Sequence, residues 1–524
     1  MLDVGDFDGS QDPYLYISDP DHDGQLEPYL TLSHRWGNSV MTTTTTGNIT
    51  SRRAGIPLGD MPKTFRDAVL ITRRIGVRYL WIDSLCIIQD SPADWEAEAI
   101  KMGSIYRNSI VTIAALGSTD SMSGCFTERK NFFGQPCKLG LKVPEGVFGS
   151  RSGGVYVRLK QGIGDNAMFA ERAEERGPLD SRGWVLQERV LSTRILNYTS
   201  QELRWECISQ ECSESIPEGL EESTTPEVDS DDHSGFDATN LIRAIAMKRR
   251  NTDFIHTIKR VIGGLTNLSD NDELETFHFS WLLLVELYSR RQLTMETDKL
   301  VAIAGMAIEI KKLTGDDFLA GLWKRYLWKE LLWCVKTEDT IVMGRILHFT
   351  PPGPPSRRLT SLNLPTWSWA SVSGWIRYAD NEFEKLSDHD VRVEIIDVKL
   401  EHPEKQFSGH AVAGSLTLRG TLRRVMSLST ATAKDIDNKE DRSNKIKSLK
   451  TDEEVGYFVR DETERLFEEI VCMVMTRASE DIWCLAIEPT ERKENEYRRI
   501  GLVWWSERQW DEDDSGGIAT VTIV

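Results

Sequence analysis

The residues most able to do chemistry lie at two short polar clusters, each following an apolar run. Ser33-His34-Arg35-Trp36 comes directly after Tyr29-Leu30-Thr31-Leu32, and Asp83-Ser84-Leu85-Cys86 after Tyr79-Leu80-Trp81-Ile82. A serine beside a histidine suggests a hydrolase. Neighbouring residues of a strand point to opposite faces, however, so the pair does not readily serve one site. A Cys86–His34–Asp83 nucleophile, base and orienter requires the two runs to end side by side. Asp83 either faces a ligand or caps local backbone amides. Glu96 and Glu98 flank the buried stripe of a helix, where solvated carboxylates in the first turn are expected.

Other chemistries lack their motifs. The chain has no G-x-x-x-x-G-K phosphate loop, no G-x-G-x-x-G turn and no H-E-x-x-H helix. Its eight cysteines form no C-x-x-C pair; Cys207 and Cys212 are the closest, and no histidine pair follows at zinc-finger spacing. Neither a metal nor a resident cofactor is expected, and the cysteines read as reduced, mostly buried thiols.

The clusters must be positioned by secondary structure. Tyr29–Ser33 is β-prone. Pro62 opens a helix on which Phe65, Ala68, Val69, Thr72 and Ile75 recur at helical spacing, and Gly76 is placed to end it. Tyr79–Ile82 is short and apolar enough for a buried strand. Ser91-Pro92-Ala93-Asp94 reads as a helix cap, with Trp95, Ala99, Met102 and Tyr106 as one stripe on the helix it opens. Ile110–Ala115 is another strand. Alternating strands and helices imply a parallel sheet covered by helices, with functional groups beyond the carboxyl ends of the strands.

Further along, an acidic, polar stretch over 211–237 reads as a linker or long loop. A helical region is expected over 238–345, its clearest helix carrying Leu319, Leu322, Trp323, Tyr326, Leu327, Glu330, Leu331 and Cys334. Residues 346–524 contain short β-rich runs at Val391–Ile396, Ser415–Gly420, Ile470–Val474, Ile500–Trp504 and Ala519–Ile523, separated by polar segments around 428–455 and 505–517. An antiparallel β-module follows. The whole is an α/β N-terminal domain over 1–210, a helical region and a β-rich C-terminal module.

The chain has 524 residues, 40% hydrophobic and 28% charged, with a formal charge of -19. Such a balance suits a globular protein and disfavours sequence-independent nucleic-acid binding, which needs a clustered positive face. Lys248-Arg249-Arg250, continued by Lys259-Arg260, is either a solvated helix face or a basic patch. The N-terminus lacks the basic and apolar regions of a targeting signal, and Trp281–Leu284 is far shorter than the roughly 20 residues a membrane helix needs. A cytoplasmic protein is expected.

Three blocks, in order, resemble the heterokaryon incompatibility (HET) domain of filamentous fungi. They are Tyr29–Gly37; Leu80–Asp90 with Asp94-Trp95-Glu96, Met102, Ile105-Tyr106 and Ala114-Ala115; and Arg182–Ser192. Looser likenesses continue through Trp281, Tyr288–Arg291, Asp298–Gly305, Gly321-Leu322-Trp323 and Pro365–Ser371. Many such proteins carry a longer segment before the domain, so either a regulatory N-terminus is absent here or the chain start is incomplete. The resemblance implies non-self recognition and cell-death signalling through self-association or protein partners. The HET domain has itself been likened to the flavodoxin-like TIR domain, some members of which cleave NAD with a glutamate that follows a tryptophan on a helix. Ser181–Glu188 is similar to that stretch, which implies NAD as a substrate, Glu188 as the catalytic carboxylate and Trp184 as a stacking wall, with Ser33, His34, Arg35, Trp36 and Asp83 around the pocket. The competing readings are that Glu188 pairs with Arg182, Arg189 or Arg194 and that Trp184 is core. A third possibility is an accessory protein that keeps the fold without incompatibility activity.

Overall fold

The computed structural model describes residues 1–17, 27–37, 42–127, 137–139, 155–157, 177–214, 217, 254–265, 268, 271–336, 341–342, 345–346, 353–378, 390–403, 412–427, 445–449, 454–478, 481–506 and 517–524. The chain divides into two units, Met1–Asn267 and Leu268–Val524.

Unit 1 is built on one mixed sheet. Its strands are β1 (Leu2–Asp3), β2 (Tyr14–Leu15), β3 (Tyr29–Ser33), β4 (Tyr79–Trp81), β5 (Thr112–Ala114), β8 (Arg194–Tyr198), β9 (Leu203–Cys207) and β10 (Glu211–Ser213), while β6 (Cys137–Leu139) and β7 (Val155–Val157) pair only with each other. The helices are α1 (Ile49–Ala54), α2 (Lys63–Ile75), α3 (Asp83–Cys86), α4 (Pro92–Asn108), α5 (Gly183–Leu191) and α6 (254–262). Across the sheet the order is β10-β9-β8-β5-β3-β4-β1-β2. The central four, β8, β5, β3 and β4, are parallel as the strand–helix alternation requires; the flanking strands are antiparallel, so the sheet is mixed and not purely parallel.

The helix signals act where the sequence puts them. Gly76 ends α2 in the left-handed region at φ 81°, while Pro62 sits just outside the helix as its cap residue. Ser91 accepts from the Asp94 amide ahead of Pro92, closing the first turn of α4. Alternation along the strands divides the two faces of the sheet. Leu30, Leu32, Leu80, Ile82, Val111 and Ile113 pack with Phe65, Ala68 and Val69 of α2 in the main core. On the other face Ala114 and Ile195 meet Val185 of α5, and Trp81 meets Tyr106 of α4 edge-on. That second face also carries a buried hydroxyl chain. Thr31 Oγ1 lies 2.7 Å from Thr112 Oγ1, Thr112 Oγ1 lies 2.6 Å from Ser192 Oγ, and Ser192 Oγ donates to the Glu188 carbonyl at 2.6 Å. The chain thus ties β3 and β5 to the end of α5.

Lys259 departs from expectation. Its side chain is buried and donates to Glu206 Oε1 at 2.8 Å, so it belongs to neither a solvated face nor a basic patch; Arg260 beside it is exposed. Lys248-Arg249-Arg250 and the acidic stretch from 218 onward lie outside the described residues.

Unit 2 opens with α7 (Asn271–Ser289) and α8 (Val301–Thr314). The stripe from Leu319 to Cys334 is not one helix. It breaks into the hairpin β11 (Phe318–Leu319) and β12 (Leu322–Trp323), the short α9 (Leu327–Glu330) and β13 (Trp333–Val335). The break comes from the left-handed pair Ala320 (φ 48°) and Gly321 (φ 105°), held by Ser368 Oγ and Trp369 Nε1, which donate to the Ala320 and Gly321 carbonyls. Apolar spacing alone does not register that reversal.

β14 (Ile341–Val342) and β15 (Arg345–Ile346) form a hairpin, and β16 (Ile376–Tyr378) pairs with β13. The remaining strands are β17 (Glu394–Leu400), β18 (Gly414–Ser427), β19 (Lys445–Ser448), β20 (Glu454–Arg460), β21 (Glu469–Ala478), β22 (Asp481–Pro489), β23 (Glu496–Ser506) and β24 (Ile518–Ile523). The β-rich C-terminal module is therefore present. The first expected strand is displaced toward the C-terminus, and the polar segment 428–455 contains β19 and the start of β20. Pairing runs β18-β19-β20-β23-β22-β21 and returns to β18, closing a ring around an apolar core that includes Phe458, Ile470, Cys472, Val503 and Trp505. Closure leaves no open edge within that ring.

Candidate functional site

Parallel pairing of β3 with β4 brings their carboxyl ends together, with Thr31 opposite Trp81. The chain leaving β3 contributes His34, Arg35 and Trp36, and the chain leaving β4 contributes Asp83 at the start of α3. Asp83 Oδ1 accepts from the Ser84 amide at 2.7 Å, and Oδ2 accepts from Trp36 Nε1 at 3.0 Å. It therefore caps a local amide and holds a side chain from the neighbouring strand end. Gly37 permits the tight exit of that loop: its φ is +72°, and a Cβ there would lie 2.4 Å from Asp120 Cβ. Arg35 is tied in through its backbone, its carbonyl accepting from Ser121 Oγ at 3.2 Å, while its side chain is half-exposed.

His34 is buried, edge-on to Phe65 of α2 with ring centres 4.9 Å apart. Its Nδ1 stands 3.7 Å from Asp83 Oδ1. Burial pushes its pKa down to about 4, against the pull of Asp83 and with the help of Arg182, so the ring is neutral at pH 7. Arg182, just before α5, donates through Nη1 to the His34 carbonyl. Cys86 Sγ accepts from the Ile82 amide at 3.5 Å, which engages the thiol with the backbone of its own turn.

Glu188 comes into this cluster from α5. It is only 3% exposed. Burial raises its pKa to about 7, with Asp83 adding to the rise; the Arg182 charge and the hydroxyls of Ser33 and Tyr106 pull it back down. Ser33 Oγ closes no hydrogen bond of normal geometry, so its effect on the carboxyl is that of a nearby dipole. Tyr106 Oη donates to the Leu32 carbonyl at 3.2 Å, and its own pKa is raised well above the usual value, first by burial and then by Glu188 and Asp83. Trp184, one helical turn before Glu188, lies edge-on to Trp95 of α4 with ring centres 6.4 Å apart, and is half-buried. Of the arginines that compete for Glu188, Arg182 acts on it. Arg189 turns to Glu206 (3.2 and 3.0 Å), and Arg194 is exposed.

The arrangement thus brings Ser33, His34, Trp36, Asp83 and Glu188 together, with Trp184 on the adjoining turn. Sequence reasoning missed Tyr106, which it read as core, and the central position of Arg182. A polar tip at the end of an apolar helical stripe was the available signal for Tyr106.

Chemically, the cluster has two carboxyl groups of different character around one guanidinium. Glu188 is poised near neutrality, as an acid–base or charge-stabilising group requires. Among the described residues, Ser33 Oγ, His34 Nε2 and Ser84 Oγ are buried without hydrogen-bond partners, and orphaned buried groups of this kind are costly and uncommon. A cavity of about 20 Å³ lies beside Ser33, lined also by Thr112, Asp180, Arg189 and Asn197. Apolar side chains, Leu116, Leu179, Val185 and Ile195 among them, complete its lining, and it is roughly the size one water needs. A nucleotide-sized ligand reaches Glu188 only after the surrounding side chains move.

The described residues include no group of three histidine, cysteine, aspartate or glutamate side chains arranged to hold a metal ion, and no helix long and apolar enough to cross a membrane. No curated protein and no solved structure matches the chain. Residues 29–188, which run from β3 through β4 and β5 to the buried carboxyl of α5, fit the family model of the heterokaryon incompatibility protein (HET), and the chain carries a HET domain over that stretch.

Proposed function

We propose that this protein is a cytoplasmic signalling module of fungal non-self recognition and cell death, and that assembly, with itself or a protein partner, opens the cluster around Glu188 to cleave NAD. The observation that carries this reading is a single buried carboxyl, tuned to about pH 7, gathered with Ser33, Tyr106, Arg182 and Asp83 at the strand tips. Two further features support it. Counted in chain order, the parallel strands β3, β4, β5 and β8 lie second, first, third, fourth, the order of a flavodoxin-like sheet, whose ligands sit where β3 and β5 adjoin. Ser181–Glu188 also resembles the catalytic stretch of TIR domains.

In the proposed reaction the bond between nicotinamide nitrogen and ribose C1′ breaks, and nicotinamide leaves with the electron pair. Ionised Glu188 stabilises the oxocarbenium charge left on the ribose. Water then adds to C1′ and loses its proton to solvent, giving ADP-ribose, nicotinamide and one proton. Trp184 is the wall for the departing ring. The closed state buries Glu188, so the isolated chain is quiescent.

The test is nicotinamide release from NAD by the full chain, dilute and after crosslinking. Turnover that appears on crosslinking and disappears in Glu188→Gln supports the reading. Absence of turnover in the crosslinked state removes the enzyme. Unimpaired growth of a fungal host expressing the chain removes the death role in favour of an accessory one.

A further inference from the structure

The hairpin of β9 and β10 turns through Ile208 and Ser209 and is closed by the Cys207 amide, which donates to the Gln210 carbonyl at 2.9 Å. Behind the turn Glu206 stands opposite Glu211, and Trp205 opposite Cys212. Side chains alternate between faces along each strand, so Cys207, Trp205 and Cys212 share one face. Glu206 and Glu211 share the other, where Arg189 reaches both carboxylates. Cys207 and Cys212 are therefore diagonal neighbours on adjacent strands. Both are free and half-buried, whereas Cys125, Cys334, Cys472 and Cys484 are buried.

The turn favours ionisation of Cys207. Ser209 Oγ lies 3.4 Å from its sulfur. Burial opposes the thiolate, but the Ser209 hydroxyl, the Ser209 and Gln210 amides and the Trp205 indole outweigh it, so the pKa falls below the ordinary thiol value. A half-exposed thiol of this kind suits the attacking member of a redox pair, and a second thiol within reach suits the resolving one. Diagonal partners stand about 7–8 Å apart, and a disulfide ordinarily spans up to about 6.8 Å between Cα atoms, so closure needs roughly an ångström of movement. β10 can supply it, because among the described residues it is the outermost strand of its sheet and pairs with β9 alone. A bridge that closes by displacing a strand is more readily reduced than a relaxed one.

We propose that Cys207 and Cys212 form a redox pair, in which a hydroperoxide oxidises Cys207 to a sulfenic acid and Cys212 condenses with it to a reversible disulfide across the hairpin. The Cys207 sulfur attacks one peroxide oxygen, the O–O bond breaks, and the leaving oxygen takes the electron pair and a proton. The Cys212 sulfur then displaces the sulfenic oxygen as water. With hydrogen peroxide the two thiols give up two electrons and two waters form. The inference is independent of the chemistry at Glu188.

The test exposes the reduced full chain to hydrogen peroxide and maps its thiols by mass spectrometry without reductant. The peptide holding both residues is expected to lose two hydrogens, and reduced glutathione to restore them. In Cys212→Ser, dimedone traps a sulfenic acid at Cys207. In Cys207→Ser, neither a bridge nor an adduct forms at Cys212. With iodoacetamide at pH 7, Cys207 is expected to react at least about threefold faster than half-buried Cys86. An unreacted Cys207, or oxidation of Cys86 ahead of it, overturns the proposal. Sulfinic acid accumulating at Cys207 of the wild-type chain with no bridge to Cys212 overturns it too, as does a bridge that joins two chains, because the hairpin partner would then be idle.

Discussion

The Trp36 indole N–H donates to Asp83 Oδ2 across 3.0 Å, joining the exits of two parallel strands 47 residues apart in the chain. Because Asp83 also meets His34 and acts on Glu188, this contact couples the loop after β3 to the charge state of a carboxyl on α5. Removing charges in this cluster has consequences of opposite sign.

Asp83 raises the pKa of Glu188 and Arg182 lowers it. Asp83→Asn therefore moves the Glu188 pKa below about 7, and Arg182→Met moves it above. Isotope-edited infrared titration of the Glu188 carboxyl band reads both shifts. Movement in the same direction in the two variants would show that Glu188 does not sense these neighbours. If the proposed reaction holds, activity in the assembled state rises with pH through the same pKa, since the ionised carboxylate is the working form.

The cluster also shapes stability against pH. Glu188 is raised from an ordinary 4.5 to about 7, so it binds more protons folded than unfolded. Its contribution is fully present below about pH 4.5 and is lost as pH rises through 7. His34 is lowered from 6.5 to about 4, so its contribution runs the other way, growing as pH rises from 4 to 6.5. The two oppose each other between pH 4.5 and 6.5. Glu188→Gln is expected to steepen the rise of unfolding free energy across that window, and His34→Gln to turn it toward a fall. Urea denaturation at pH 4.5, 5.5, 6.5 and 7.5 checks this; parallel curves for all three proteins would refute it.

Lys259 and Arg189 share Glu206, and all three belong to unit 1. Lys259 is 1% exposed, and burial pulls its pKa down while Glu206 pushes it up. Lys259→Met leaves a buried carboxylate with one cation instead of two and is expected to cost about 3 kcal/mol, as breaking a buried ion pair does. Lys259→Met combined with Glu206→Gln recovers part of that loss. Chemical denaturation of the single and double variants measures both. A single variant as stable as wild type would mean that Glu206 needs Arg189 alone.

Local rules reached far into the N-terminal half. The apolar runs ending at Ser33 and Trp81, the Ser91-Pro92 cap and the left-handed Gly76 depend on neighbours within a few residues, and each forms as its sequence dictates. The alternation that sends Leu30 and Leu32 to one face and Thr31 and Ser33 to the other is equally local. The polar tips of β3 and β4 could thus be foreseen as neighbours once the strands were taken as parallel.

Packing decided the rest. Tyr106 reads as core from its stripe, and only the crossing of α4 over the second face sets its hydroxyl beside Glu188. Lys259 reads as a surface cation until Glu206, 53 residues away, receives it in the interior. The stripe from Leu319 to Cys334 keeps helical spacing but is broken by the turn that Ser368 and Trp369 grip from a distance. In the N-terminal half, sequence by itself determined where β3, α2, β4 and α4 form and which residues stand at their ends, because hydrophobic period and capping are short-range. Which charges share a buried space, and so what Glu188 can do at neutral pH, was decided only by tertiary structure, since desolvation and Coulomb energy depend on groups that meet through space.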